Sequence, residues 1–137
     1  MKILSGVLLP ALLAAAAAAV AAATPSSSQG GDTLGDPGRG AAIYERCQAC
    51  HSLERNRTGP KHCGLIGRPA GTVDGFRGYS AALRESGIVW DRESLDRFLA
   101  DPRGTVPGTR MGYAGVKDPG ERADLIAFLA AAGPCGE

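Results

Sequence analysis

Apolar residues run almost unbroken from Ile3 to Ala23, interrupted only by Ser5, Gly6 and Pro10, and the run follows a single lysine and closes on Ala21-Ala22-Ala23. A basic start, an apolar stretch and a small-residue end form the pattern of a secretory signal peptide, residues 1–23. The alternative is a retained membrane anchor, because a run of this length can just span a bilayer. Gly6, Pro10 and the alanine-dominated second half make it a poor span and favour cleavage after Ala23. Residues 24–35 then carry almost no apolar content and read as a flexible linker.

From Asp36 onward the pattern becomes helical. Asp36-Pro37 supplies an N-cap and a proline at the first helical position, and Gly40, Ala41, Tyr44 and Cys47 recur at helical spacing. A first helix is therefore predicted to run into Cys47. Residues 52–70 hold Thr58-Gly59-Pro60 and Gly64-Leu65-Ile66-Gly67-Arg68-Pro69 and read as loop. Tyr79 to Ser86 suggests a short helix stopped by Gly87, and Ile88-Val89-Trp90 is too short for a confident strand. Asp91 reads as the cap of a third helix with Leu95, Phe98 and Leu99 on one face and Pro102 at its end; residues 101–117 read as loop. Asp118-Pro119-Gly120-Glu121 opens the last helix, whose apolar face is Leu125, Ile126, Phe128 and Leu129 and whose stop is Gly133-Pro134. The expected fold is all-α: about four short helices and long glycine-rich loops in one small domain, residues 36–137.

One pentapeptide inside this frame carries chemistry. Cys47-Gln48-Ala49-Cys50-His51 matches the attachment signature of a c-type haem. If the segment is helical, the two thiols and the imidazole share a face. The sulfurs then reach the two vinyl groups of a porphyrin, and a neutral imidazole meets the iron. A zinc site would need a second ligand pair, and His62, Cys63 and Cys135 supply none at the usual spacing. A redox CxxC would sit at a strand-to-helix junction, and no strand signal lies nearby. The carbonyl of Pro60 is a candidate acceptor for the second ring nitrogen of His51, although Pro60 also fits a plain turn. The chain has only three Phe, three Tyr and one Trp, thin for a core of its own. A buried porphyrin would supply the missing apolar mass.

Charge narrows the partners. Fifteen basic residues face fourteen acidic ones, and loss of Lys2 with the leader leaves an even balance. Nucleic-acid binding loses its electrostatic support. Export through the leader would place the protein in an oxidising periplasm.

Taken together, the motifs resemble class I cytochrome c, the branch of mitochondrial cytochrome c and the soluble bacterial carriers. The resemblance covers about residues 36–133 and rests on Cys47 to His51, Thr58-Gly59-Pro60, Gly67-Arg68, Pro107-Gly108-Thr109-Arg110-Met111 and the run from Glu121 to Leu129. It implies the small cytochrome c fold wrapped around one haem c, with Cys47 and Cys50 as thioether residues, His51 as proximal ligand and Pro60 as its hydrogen-bond acceptor. Met111 would be the distal ligand, where a lone methionine by itself would more often fill a gap in a core. Tyr79 and Trp90 would hold one propionate, with Arg68 and Thr109 close by. Gly40 and Tyr44 would meet Leu125 and Phe128 where the terminal helices cross, Tyr113 would stand beside the exposed haem edge, and Cys63 and Cys135 would form a disulfide, with free thiols or a redox switch as alternatives.

Two positions depart from the family. Phe98 stands where mitochondrial members carry a tyrosine near the methionine sulfur. His62 stands where leucine is usual; a solvent-facing loop residue is the first reading, a buried polar group or a rival ligand the others. The mature chain also keeps only Lys61 and Lys117 where mitochondrial members ring the haem edge with lysines. The function implied is a monomeric periplasmic one-electron carrier, not an enzyme, cycling between Fe(II) and Fe(III). Its redox partners would come from among a cytochrome bc complex, an oxidase, a reaction centre or a periplasmic dehydrogenase. A haem enzyme or gas sensor with a displaceable Met111, and a membrane-anchored carrier, are the alternatives.

Overall fold

The structure is a computed structural model that describes residues 34–136. The expected signal peptide lies outside the described residues, as does the linker up to residue 33. Leu34, at the end of that linker, is already engaged: Arg92 donates to its carbonyl at 3.2 Å. The described residues form five α-helices: α1 (Pro37–Tyr44), α2 (Ala81–Arg84), α3 (Arg92–Ala100), α4 (Pro102–Thr105) and α5 (Pro119–Ala131). Among them, no helix is long and apolar enough to cross a membrane.

Aspartate caps set most of the starts. Asp36 accepts from the Arg39 amide at 2.8 Å, Asp118 from the Glu121 amide at 2.8 Å, and each is followed by proline at the first position. Asp91 and Ser94 cap α3 reciprocally, at 2.7 and 2.9 Å. The second helix is shorter than expected, because Ser80 caps it and leaves Tyr79 outside. The loop expected at 101–117 contains α4. Asp101 accepts from the Gly104 amide at 3.0 Å with Pro102 at the first position, so Pro102 both ends α3 and starts a single turn. The first helix does not continue as an α-helix into the cysteines. It tightens into a 3-10 turn at Glu45–Cys47, and the chain then turns through amide bonds from Cys50 and His51 to the Cys47 carbonyl at 3.1 and 2.9 Å.

The terminal helices cross at Gly40. A Cβ there would lie 2.0 Å from the Asp124 carbonyl oxygen, so only glycine lets the two backbones approach this closely. Tyr44 packs against Phe128 on the same crossing, ring centroids 5.0 Å apart. Polar fasteners flank it: Arg39 grips both oxygens of Asp124 at 2.7 and 2.9 Å, and Arg46 grips Glu121 at 2.7 Å twice. Leu125 of α5 is fully buried with Ile126, Leu129, Ile43, Leu95, Phe98 and Leu99 around it. Burial of each large aliphatic side chain is worth about 1.5–3 kcal/mol. Helix α3 joins α5 through Arg122 and Asp96 at 2.7 Å. An isolated antiparallel bridge between Pro69 and Val89 lays the Trp90 segment along the Gly67-to-Ala70 loop.

Candidate haem site

These elements enclose a cavity of about 450 Å³, within the roughly 300–1,000 Å³ range of ligand pockets. Cys47, Cys50, His51, Pro60, Arg68, Tyr79, Trp90, Thr109 and Met111 all line it. They come from six separate stretches of the chain, and no strand or long helix ties them together; the loops do.

On one side stands His51. Its Nδ1 and the Pro60 carbonyl oxygen are 2.8 Å apart, which fixes the ring nitrogen that carries the proton and leaves the other with its lone pair free. Burial lowers the His51 pKa, against an opposing pull from that carbonyl, so the ring stays in the neutral form a metal requires. The turn that carries Pro60 closes on the ring: a Cβ at Gly59 would fall 2.4 Å from Cε1 and 2.7 Å from Nε2. The Gly59 amide returns to the Cys50 carbonyl at 2.7 Å, binding the turn to the pentapeptide. Cys47 is half-buried and Cys50 exposed; both are free thiols. Burial raises the Cys47 pKa, with Arg46 opposing.

His62 departs from its expected place. It does not face solvent but lines the cavity, its ring stacked on His51 with centroids 4.2 Å apart and planes 22° apart. Its Nδ1 shares a hydrogen bond with the Tyr44 hydroxyl at 3.2 Å. Burial pushes the His62 pKa down to about 3, helped by the neighbouring His51 and Arg68, so the ring is neutral. Burial also raises the Tyr44 phenol to about 12. The signal that could have placed His62 was its position two residues after Pro60, in the turn that closes on His51.

Arg68 is anchored from below by the carbonyls of Cys63 and Lys61 at 2.8 and 3.1 Å. Burial lowers its pKa and the nearby Tyr79 raises it. Tyr79 is buried, its phenol raised by that burial and held down in part by the Val73 backbone and by Arg68. Phe76 meets Tyr79 edge-on at 4.8 Å and also lines the cavity, a residue that the sequence patterns passed over. Trp90 packs on Phe98 at 5.1 Å, and Leu65, Leu95, Leu99 and Leu129 complete an apolar wall. Elsewhere on the lining, the Met111 amide donates to the Thr109 hydroxyl at 3.3 Å. The sulfurs of Cys63 and Cys135 are bonded, tying the loop after Pro60 to the segment beyond α5. Among the described residues no cluster of three or more His, Cys, Asp or Glu converges as a metal site would require.

No protein-family model matches the chain. Known proteins do. The chain is 41% identical over 99 residues to cytochrome c2 of Rhodomicrobium vannielii, across 70% of this chain and 78% of that one. It is 42% identical over 101 residues to cytochrome c2 of Rhodoplanes tepidamans, across 72% of this chain and 94% of that one. The chain belongs to the class I c-type cytochromes. A solved structure agrees: cytochrome cH from Methylobacterium extorquens superposes with a TM-score of 0.69 at 42% identity, over 71% of this chain and 99% of that chain. A c-type cytochrome carries one covalently attached haem c, and Cys47 and Cys50 stand at the spacing that attachment uses. The cavity fits that group on its own chemistry. It offers a flat apolar lining, two free thiols at one wall, a neutral imidazole and a thioether, and a cation with phenol and hydroxyl donors for acidic side chains.

Proposed function

We propose that this cytochrome is a periplasmic one-electron carrier in which Cys47 and Cys50 would hold the porphyrin, His51 and Met111 would ligate the iron, and Arg68, Tyr79, Trp90 and Thr109 would neutralise and position the propionates. The haem supplies a one-electron Fe(II)/Fe(III) couple, with methionine ligation and an apolar pocket favouring the reduced form. The chain's own residues do the rest. Pro60 orients His51, the apolar wall from Leu65 to Leu129 keeps water from the centre, and Arg68 compensates acidic charge where burial would otherwise make it costly. With His51 and Met111 both on the iron, no place would be left for a substrate.

The observation that carries this reading is that nine residues drawn from six stretches line one cavity, with His51 already fixed by Pro60. The leader sequence supports export, and redox proteins that dock briefly through a small interface fit the near-even charge. The visible spectrum of the exported protein tests it. A sharp low-spin reduced spectrum unmoved by carbon monoxide, with a long-wavelength sulfur-to-iron band when oxidised, is expected. A high-spin spectrum, or one that carbon monoxide shifts, would sink the carrier reading and put an accessible iron in its place.

A further inference from the structure

His62 is a titratable ring in the cavity that electron carriage leaves without a task. Its surroundings are too specific for a loop residue of no consequence. Its amide donates to the carbonyls of Ser52 and Leu53 at 3.0 and 3.1 Å, and the next residue, Cys63, is bonded to Cys135. Its side chain is held by the hydroxyl of Tyr44, which is 2% exposed and wedged in the crossing of α1 and α5. The ring so fixed lies nearly parallel to His51.

Three groups restrain the His51 ring, and they restrain different things. The Pro60 carbonyl at 2.8 Å from Nδ1 sets the tautomer and the position of one edge. A single hydrogen bond at an edge leaves the ring free to rock about it. The Gly59 backbone covers one small patch of the ring face, where a Cβ would fall 2.4, 2.6 and 2.7 Å from Cε1, Nδ1 and Nε2. A flat surface laid nearly parallel to the ring bears on the whole plane and sets its tilt, and His62 is that surface. A leucine would fill the same volume without offering a plane.

We propose that His62 is a positioning residue for His51: anchored through Tyr44 to the helix crossing, it fixes the plane of the imidazole and so the direction of its donor orbital. The inference rests on the reading of His51 as axial ligand. It makes the crossing of the terminal helices and the ligand parts of one linked arrangement.

Electron paramagnetic resonance of the oxidised holoprotein reads it, because the g-values of a low-spin haem follow the orientation of its axial ligands. His62→Leu is expected to shift the largest g-value and broaden it as the ring plane becomes heterogeneous. His62→Phe keeps a plane and loses the anchor, and Tyr44→Phe loses only the hydroxyl; both should give a smaller shift of similar size. Wild-type g-values in His62→Leu, or a His62→Phe shift as large as that of leucine, would overturn the proposal. Should His62→Leu fail to mature, the other two variants decide: matched shifts support the inference and wild-type spectra in both defeat it. Absence of a low-spin signal from the wild-type protein would defeat the reading of His51 as ligand, a different failure and visible before any variant is made.

Discussion

The two walls of the cavity are built differently. The wall that carries His51 is tied along its whole length: Gly59 to Cys50, His62 to Ser52 and Leu53, Cys63 to Leu53, Gly64 to Gly133, Arg68 to Lys61 and Cys63, and a disulfide to the far end of the chain. The wall that carries Met111 is fixed mainly at its ends. Thr109 bonds back to Val106 at 3.0 Å and Val116 to Leu99 at 2.8 Å, while Met111 itself has only the 3.3 Å bond to Thr109. Both are loops of similar glycine content, so composition does not separate them. What separates them is how many backbone groups find partners within the protein, and local opening follows that number. In the proposed carrier, the wall of His51 would be preorganised to hold a ligand, and the wall of Met111 would be the one that can let go.

Breaking the proximal wall should cost most. The Cys63 to Cys135 bond spans 72 residues of sequence, and a loop of that size corresponds to about 4 kcal/mol of denatured-state entropy. The double variant Cys63→Ser, Cys135→Ser is expected to lower the denaturation midpoint accordingly. It should also speed hydrogen exchange at Gly64, whose amide meets the Gly133 carbonyl at 2.5 Å. An unchanged midpoint would mean that the backbone bonds alone hold this wall. Gly59→Ala comes next. Its Cβ would meet rigid ring atoms and not a flexible chain end, so the cost should lie at the upper end of the ~1–3 kcal/mol usual for overpacking. Loss of haem incorporation or of the low-spin spectrum is the expected readout, and a normal spectrum with normal stability would show that the turn can yield.

Much of this contrast could be read from the sequence, and the part that could not has a common cause. The caps at Asp36, Asp91 and Asp118 are local chemistry, and helices begin where those residues predict. The candidate site residues share a cavity although most of them sit in irregular loop, and it is the order of their motifs along the chain that marks them. Helix α4 is written in the sequence too, since Asp101-Pro102 repeats the cap-and-proline pattern of α1 and α5, but the same proline also fits the end of α3. His62 and Phe76 are different. Which way a loop side chain faces depends on the path of the whole loop, and the path from Ser52 to Arg68 is set by hydrogen bonds and a disulfide partner up to 72 residues away. No periodicity encodes that. The same holds for the grip of Arg39 on Asp124, 85 residues apart.

That grip gives a pH test that falls on the proximal foundation. The Arg39 side chain, followed by the Asp36 amide, holds the Asp124 carboxyl below the usual carboxylate range. The unfolded chain therefore takes up the proton first on acidification. The stability contributed at Asp124 is fully present above the unfolded value, about 3.9, and is lost as the pH falls through the lower folded value. Asp124→Asn should be less stable at neutral pH and should lose stability less steeply between about pH 5 and 2. Chemical denaturation across that range measures it, and an acid limb as steep as that of the wild type would assign the effect to other carboxylates. Arg122, two residues earlier, ties α5 to the stretch that carries Met111 through the Val116 carbonyl at 3.0 Å.

The smallest effect should come from the distal wall, and it is the sharpest test of the contrast. Thr109→Val removes the hydroxyl that receives the Met111 amide while keeping the shape of the side chain. A neutral hydrogen bond is worth about 0.5–1.5 kcal/mol, and one of 3.3 Å at a half-exposed site belongs near the lower bound. Global stability should therefore hardly move. Yet the loop has few other internal ties, so the same loss should appear as easier displacement of Met111. The affinity of the oxidised protein for added imidazole should rise by about twofold to fivefold, the equivalent of roughly 0.5–1 kcal/mol. Thr109→Ser keeps the acceptor and should behave as wild type. If imidazole affinity stays fixed while stability falls, the Thr109 hydroxyl serves the fold as a whole. The two walls would then differ in their number of bonds but not in their freedom to open.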